Sequence, residues 1–305
     1  MTIVVTGGTG FIGRRLVGAL VDAGHRVILL TRSPAGGRHP RGAEARVWDG
    51  ETQGPWAACI DGADAVINFA GEPIAGGRWT GERKRRIVDS RISATRAVVE
   101  AIGTAAIKPG VLLNASAVGY YGSVPEGDVT EDAPSGVGFL ADTCRMWEVE
   151  ARRAESFGVR VVLIRMGIVV GEAGGALEKM ILPFRLFVGG PVGSGRQWFP
   201  WIHADDVVGA VIFALERVSL SGPVNLAAPE PATMETFCST LGRVMGRPSW
   251  LRVPEWALTL LLGEMAGMLL GGQRIIPAQL RRNGYVFRHP ELEPALRSIL
   301  RKRRE

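Results

Sequence analysis

Mainly apolar runs recur along the chain, at Thr2–Thr6, Arg26–Thr31, Ala65–Gly71, Gly110–Ser116 and Arg160–Arg165. A strand with one wet face would alternate apolar with polar residues, so continuous runs of this kind predict strands covered on both faces. A shorter strand is expected at Glu44–Asp49 and a further one at Val224–Ala227. Helix-like segments separate them: Arg14–Ala23, Pro55–Ile60, Gly81–Gly103 and Phe139–Ser156. Regular strand–helix alternation implies a parallel sheet with right-handed crossovers, a doubly wound α/β architecture.

From Gly171 the texture changes. Gly174 to Gly195 is glycine-dense with apolar helical turns, Trp198–Asp206 leads back to the sheet, and a helix to about Glu216 follows. Residues from Pro231 onward predict a smaller, mainly helical lobe. The expected division is 1–170 plus about 202–229 for the sheet domain, and about 171–201 plus 230–305 for a substrate lobe. The longest apolar run, Trp256–Leu270, is interrupted by Gly263, Glu264 and Gly267. It is too short and too polar to span a bilayer and reads as a buried helix.

Composition adds limits. A hydrophobic content of 46% with 22% charged residues indicates a soluble globular protein with a sizeable core. Five basic residues and one acid in Arg297–Glu305 supply +4 of the formal net charge of +6. The basic balance therefore reports a solvated tail and not a nucleic-acid-binding face. Cys59, Cys144 and Cys238 have no metal-ligand spacing and cannot all pair, which fits a reducing compartment and no metal. The first strand starts at once, without a signal peptide, so the expected location is cytoplasmic. The expected partner is a small-molecule substrate, with neither nucleic acid nor membrane, for a monomer or homodimer.

The chemistry begins directly after the first strand. Gly7-Gly8-Thr9-Gly10-Phe11-Ile12-Gly13 joins strand to helix, as a Rossmann-type dinucleotide site requires. Glycines give the tight turn, close backbone approach to a pyrophosphate, and close helix–strand packing. The helix then offers free N–H groups and its positive dipole end to phosphate. Both Gly8/Gly10/Gly13 and Gly7/Gly10/Gly13 fit the spacing. Where the second strand ends, at Thr31-Arg32, an acid would bind the ribose 2′-hydroxyl of NAD. Arg32 instead suits a 2′-phosphate, so the expected cofactor is NADP, with Arg38 and Arg41 as secondary candidates. Asp49 stands where the adenine edge is often approached. Asn68 is either a turn-former or a ligand, and the turn after it, through Gly71, can lie against the cofactor. On the long helix, Arg83–Arg86 reads as a solvated basic face, while Arg91 is nearer the apolar stripe and is the best candidate there to reach the cofactor.

With Thr6–Gly13, Asn68–Gly71, Ser116 before Tyr120-Tyr121, and Ile202–Asp206, the chain resembles the extended short-chain dehydrogenase/reductase superfamily. Trp79–Thr95, Gly189–Gly195 with Trp198–His203, and Val253–Arg282 with Gly284–Glu291 make it similar to an atypical "epimerase family" subgroup. That subgroup carries a C-terminal domain of unknown function. The resemblance implies an NADP site with contacts at Gly10, Phe11, Ile12, Thr31, Arg32, Phe69, Ala70 and Arg91. Gly7, Thr9, Gly13 and Gly71 complete the candidate cofactor set. It also implies a tyrosine and a lysine four residues later for proton exchange. Alignment on Glu148 puts Leu140 and Cys144 at those places, and no lysine lies between Lys108 and Lys179. Ser116 matches the serine that bonds a substrate carbonyl or hydroxyl, and Tyr120 is the other candidate catalytic residue. His203 is expected to bond Asp205 or Asp206, and Gly189–Gly195 with Trp198 and Trp201 to shape a substrate lid or pocket. The expected function is an NADP-dependent oxidoreductase or epimerase-like enzyme lacking the usual Tyr-Lys pair. A non-catalytic NADP(H)-binding sensor or scaffold is the alternative.

Overall fold

The structure, a computed structural model, describes residues 1–34, 39–172 and 174–302. Arg38 and the last three residues of the basic tail lie outside the described residues. The first half follows the predicted alternation: β1 (Thr2–Thr6), α1 (Phe11–Asp22), β2 (Arg26–Thr31), β3 (Glu44–Val47), β4 (Ala65–Asn68), α2 (Gly81–Thr104) and β5 (Val111–Ala117). A short strand β6 (Val124–Val129) precedes α3 (Phe139–Arg152), β7 (Arg160–Met166) and β8 (Ile168–Gly171). Then come α4 (Gly175–Arg185), β9 (Trp198–Phe199), β10 (Trp201–His203), α5 (Ala204–Glu216) and β11 (Gly222–Leu226). The remainder holds β12 (Ala232–Thr233), α6 (Met234–Met245), α7 (Glu255–Leu262), α8 (Gly267–Leu270), β13 (Gln273–Ile275), α9 (Ala278–Arg282) and α10 (Leu292–Lys302).

Seven strands form the central sheet in the order β11-β7-β5-β4-β1-β2-β3, all parallel. Side chains alternate between its faces. Ile3, Val5, Ile67, Leu113, Ile164 and Val224 face α1 and α5, packing on Leu16, Leu20, Val207 and Val211. Val4, Val66, Leu112 and Leu163 face the other way, onto Ala94, Val98 and Ile102 of α2. The continuous apolar runs thus reflect helices on both sides. A third cluster unites α4, α6 and α10 around Phe184, Phe237 and Leu296, while Leu280, Tyr285 and Phe287 pack onto the sheet's own α5 side.

Two expectations change here. The third strand stops at Val47 because the Asp49 carboxylate turns the chain, accepting from the N–H groups of Glu51 (2.8 Å) and Thr52 (2.9 Å). Asp49 is therefore committed to a turn. Trp256–Leu270 is not one buried helix. Gly263, at φ +62°, ends α7, a 3₁₀ turn follows, and α8 restarts. The broken axis cannot present one continuous stripe to the core, and Trp256, Leu260 and Leu261 remain 71–73% exposed. Among the described residues no helix is long and apolar enough to cross a membrane.

Candidate functional site

The carboxyl ends of the strands converge on a cavity of about 670 Å³. Its first end is made largely of main chain. Gly7 adopts φ +65°, and a Cβ there would lie 2.3 Å from the Phe69 carbonyl oxygen. A Cβ on Gly13 would sit 2.2 Å from the Gly7 oxygen, and one on Gly8 would strike the buried Leu29 side chain at 2.4 Å. Of the two glycine registers, the left-handed turn belongs to Gly7. Gly10 differs: its Cβ would meet only the Gly7 oxygen, at 3.3 Å, and Gly10 lines the cavity. It also caps α1 from an extended conformation, so the helix starts at Phe11 and not Arg14. No side chain caps that end, and no acid occupies its first turn. The N-terminal amides remain available to an anion, which is what a pyrophosphate needs.

The neighbouring turn is held from β1. The Thr6 hydroxyl accepts from the N–H groups of Phe69 and Ala70, both at 3.1 Å, which sets Phe69–Gly71 against the glycine turn. Phe11, Ile12, Phe69, Ala70, Gly71 and Arg91 all line the cavity. Arg91 is buried, donates to the Ile87 carbonyl (2.9 Å), and stacks 5.1 Å from the Trp147 ring. Burial lowers its pKa from the ordinary arginine value, though arginine stays charged at such sites. Thr9, Thr31 and Arg32 do not line this cavity. Thr31 and Arg32 end β2, the sheet neighbour of β1, with Thr9 and Arg32 exposed. Asn68, left open between turn-former and ligand, is buried in a polar network. It accepts from Thr6 (2.6 Å) and donates to Thr95 (2.9 Å) and Asn114 (2.6 Å). It positions the turn and does not reach the cavity.

Ser116, Leu140 and Cys144 also line the cavity, so the positions equivalent to the usual serine, tyrosine and lysine are brought together. Their chemistry is another matter. The Ser116 hydroxyl donates to Glu148 Oε1 (2.7 Å), and Glu148 is held by both Nε and Nη2 of Arg165 at 2.8 Å. All three residues are buried. Burial alone would lower Arg165, but Glu148 and Tyr121 outweigh it and hold the guanidinium above the ordinary arginine value. Arg165 also donates to Tyr121 (2.8 Å), which donates to Asn225 (2.7 Å). Burial, reinforced by Glu148, pushes the Cys144 thiol up to about 11.

Other candidates are displaced. Tyr120 does not line the cavity: the Arg165 guanidinium lies 3.5 Å from its ring centroid, drawing it into the buried ion network. Its ring is thus held against Arg165 and outside the residues that line the cavity. Gly189–Gly195 does not line the cavity. It binds the segment before α7, with Trp250 N–H on the Gly189 oxygen (3.0 Å) and Gly193 N–H on that of Val253 (2.8 Å). Trp198 lines the cavity, but Trp201 is buried beside Phe237 in the third cluster. His203 caps α5, its Nδ1 accepting from Asp205 N–H (3.0 Å), as expected. Within the basic face of α2, Arg83 pairs with Glu72 (2.6 Å) and Lys84 with Glu264. In the sequence, Glu148 serves only as an alignment anchor, and Arg165, Asn114 and Asn225 are passed over. Their signal was a polar residue inside an otherwise apolar strand end or helix stripe.

Residues 3–227 match the sequence pattern of the NAD dependent epimerase/dehydratase family, and residues 253–299 match a domain of unknown function, DUF1731. This chain belongs to the NAD dependent epimerase/dehydratase family. Within that family, the chloroplastic epimerase family protein SDR39U1 homolog of Arabidopsis thaliana is 45% identical over 98% of this chain and 87% of its own. Epimerase family protein YfhF of Bacillus subtilis is 41% identical, covering 100% and 99%. The crystal structure of human epimerase family protein SDR39U1 (isoform2) with NADPH superposes with a TM-score of 0.89 at 35% identity, over 99% of both chains. UDP-glucuronic acid 4-epimerase from Bacillus cereus, in complex with NAD, shares the fold at 19% identity (TM-score 0.77; 98% and 95% covered). The epimerase-family resemblance and the extra C-terminal domain are thus both present, on an NAD(P)-binding fold.

Proposed function

We propose that the chain binds NADP(H) across the glycine turn and acts as an oxidoreductase or epimerase-like enzyme on a small molecule beyond Ser116. The observation that carries this reading is that one cavity is lined both by Gly7 and Gly10 and by Ser116 and Leu140. The uncapped start of α1, the gap over Gly10 and the buried Arg91 suit a dinucleotide phosphate. Arg32 at the end of β2 suits the extra phosphate of NADP, and the human relative is described with NADPH. When bound, NADP(H) supplies hydride exchange. Ser116, fixed by Glu148, then orients a substrate oxygen.

A second reading, an NADP(H)-binding sensor or scaffold without turnover, is favoured by one observation. The polar groups at the reactive end are already engaged: Ser116 donates to Glu148, and Thr143 donates to the Phe139 carbonyl (2.6 Å). Leu140 carries no proton to exchange. Calorimetric titration tests the shared core of both readings. NADPH should bind more tightly than NADH, and Arg32→Ala should narrow the gap about tenfold, the worth of one charge-assisted contact. Equal affinities in the parent protein overturn the NADP assignment.

A further inference from the structure

The part of the cavity beyond Ser116 points to a substrate class that the family name does not suggest. We infer that this chamber takes a neutral, ring-bearing alcohol and excludes nucleotide sugars; the inference rests on the reading of the first end as the NADP(H) site. Its walls are Trp79, Phe139, Leu140, Trp198, Met268 and Leu269. Trp79 packs edge-on against Phe139, centroids 5.0 Å apart, and its indole N–H is spent on the Ile74 carbonyl (3.1 Å). The ring therefore offers the chamber an apolar face. Methionine and aromatic walls of this kind accommodate flat hydrocarbon rings.

Charge decides against a nucleoside diphosphate. Two phosphates taken out of water need cationic partners within hydrogen-bond reach. Among the described residues that line the cavity, only Arg91 and Glu264 are charged. Arg91 belongs to the cofactor end, where a Cβ on Gly71 would lie 3.2 Å from its guanidinium carbon. Glu264 is an anion already paired with Lys84. Two cations stand behind the walls: Lys84, its Nζ 5.6 Å from the Phe139 ring centroid, and Arg274, its guanidinium 5.3 Å from that of Trp198. They are already paired with Glu264 and Asp128, so neither is free for a second diphosphate.

Ser116 settles the polar handle. Arg165 holds Glu148 from two sides, and the serine hydrogen points at that carboxylate. The serine oxygen is left with lone pairs and no hydrogen to give, so it accepts from a ligand hydroxyl.

The experiment titrates the NADPH complex with 1-tetralol, tetralin and UDP-glucose, following quenching of tryptophan fluorescence and the heat of binding. Saturable binding of 1-tetralol, with none for UDP-glucose, is the expected result. Met268→Asp should weaken both bicyclic ligands about tenfold or more by placing a charge in the wall. Ser116→Ala should weaken 1-tetralol about tenfold and leave tetralin unchanged, which a general disturbance of the chamber would not do. Saturable binding of UDP-glucose overturns the inference, and so does failure of both bicyclic ligands. NADPH affinity is read separately at the outset. If the nucleotide does not bind, the cofactor reading falls by itself, and the same three ligands then test the chamber in nucleotide-free protein.

Discussion

At the glycine end of the cavity the surface offered to a ligand is mainly main chain, whereas beyond Ser116 it is side chain drawn from the segment before α2 and from α3, β9 and α8. Under the first surface there is no room for an added atom at Gly7 or Gly13, where a methyl group would overlap backbone that cannot move aside; Gly10 alone keeps a gap. The second is made of adaptable apolar groups that can exchange volume with one another. Cofactor binding is thus built in by geometry, and ligand choice by composition. Between the two lies a polar floor, Ser116 backed by the buried Glu148–Arg165 pair.

That floor is where the comparison breaks most violently. Glu148→Ala leaves the buried Arg165 guanidinium without its carboxylate and should cost about 3–5 kcal/mol of stability in urea unfolding. Adding Arg165→Met should recover part of the loss. A single-variant cost below about 1 kcal/mol would mean the pair is not holding the floor together. A sharper cut separates the two ends. Gly13→Ala should lower NADPH affinity about tenfold or more (1.4 kcal/mol per tenfold), while the volume-conserving Leu140→Met leaves it within about twofold. Equal losses would show that the ends are not independent. The smallest effect belongs outside the cavity. Leu260→Ser, on the exposed side of α7, should change stability by no more than about 0.5 kcal/mol, where a buried leucine would cost several.

The cofactor end was legible because its requirements are local. A strand, a turn with a glycine at positive φ and a helix start occupy thirteen consecutive residues, and each demand is written in a residue type. Leu140 and Cys144, which the spacing from Glu148 on α3 puts at the places of the usual tyrosine and lysine, both line the cavity. The chamber was not legible. Its walls come from residues 79 to 269, and no short window of sequence records that they meet. Tyr120 shows the same limit: its position four residues after Ser116 suggests the cavity, and only the structure shows its ring against Arg165, forty-five residues further on. Trp256–Leu270 misled through composition. Apolar content was read as burial, when Gly263 breaks the axis and turns part of the run outward.

Thr6, Asn68 and Asn114 are direct neighbours across β1, β4 and β5, and their side chains bond to one another and to Thr95. A slip of β4 by one residue would turn Asn68 to the other face, among Ile3, Val5 and Leu113, with its amide unpaired. It would also strand the Thr6 hydroxyl and the Asn114 amide in the core, each at a cost of about 1–3 kcal/mol. The three residues therefore proofread the assembly of the sheet. Parallel strands made of interchangeable valines and isoleucines have little else to tell one alignment from the next. The alignment they select is also the one that lays Phe69–Gly71 beside the glycine turn.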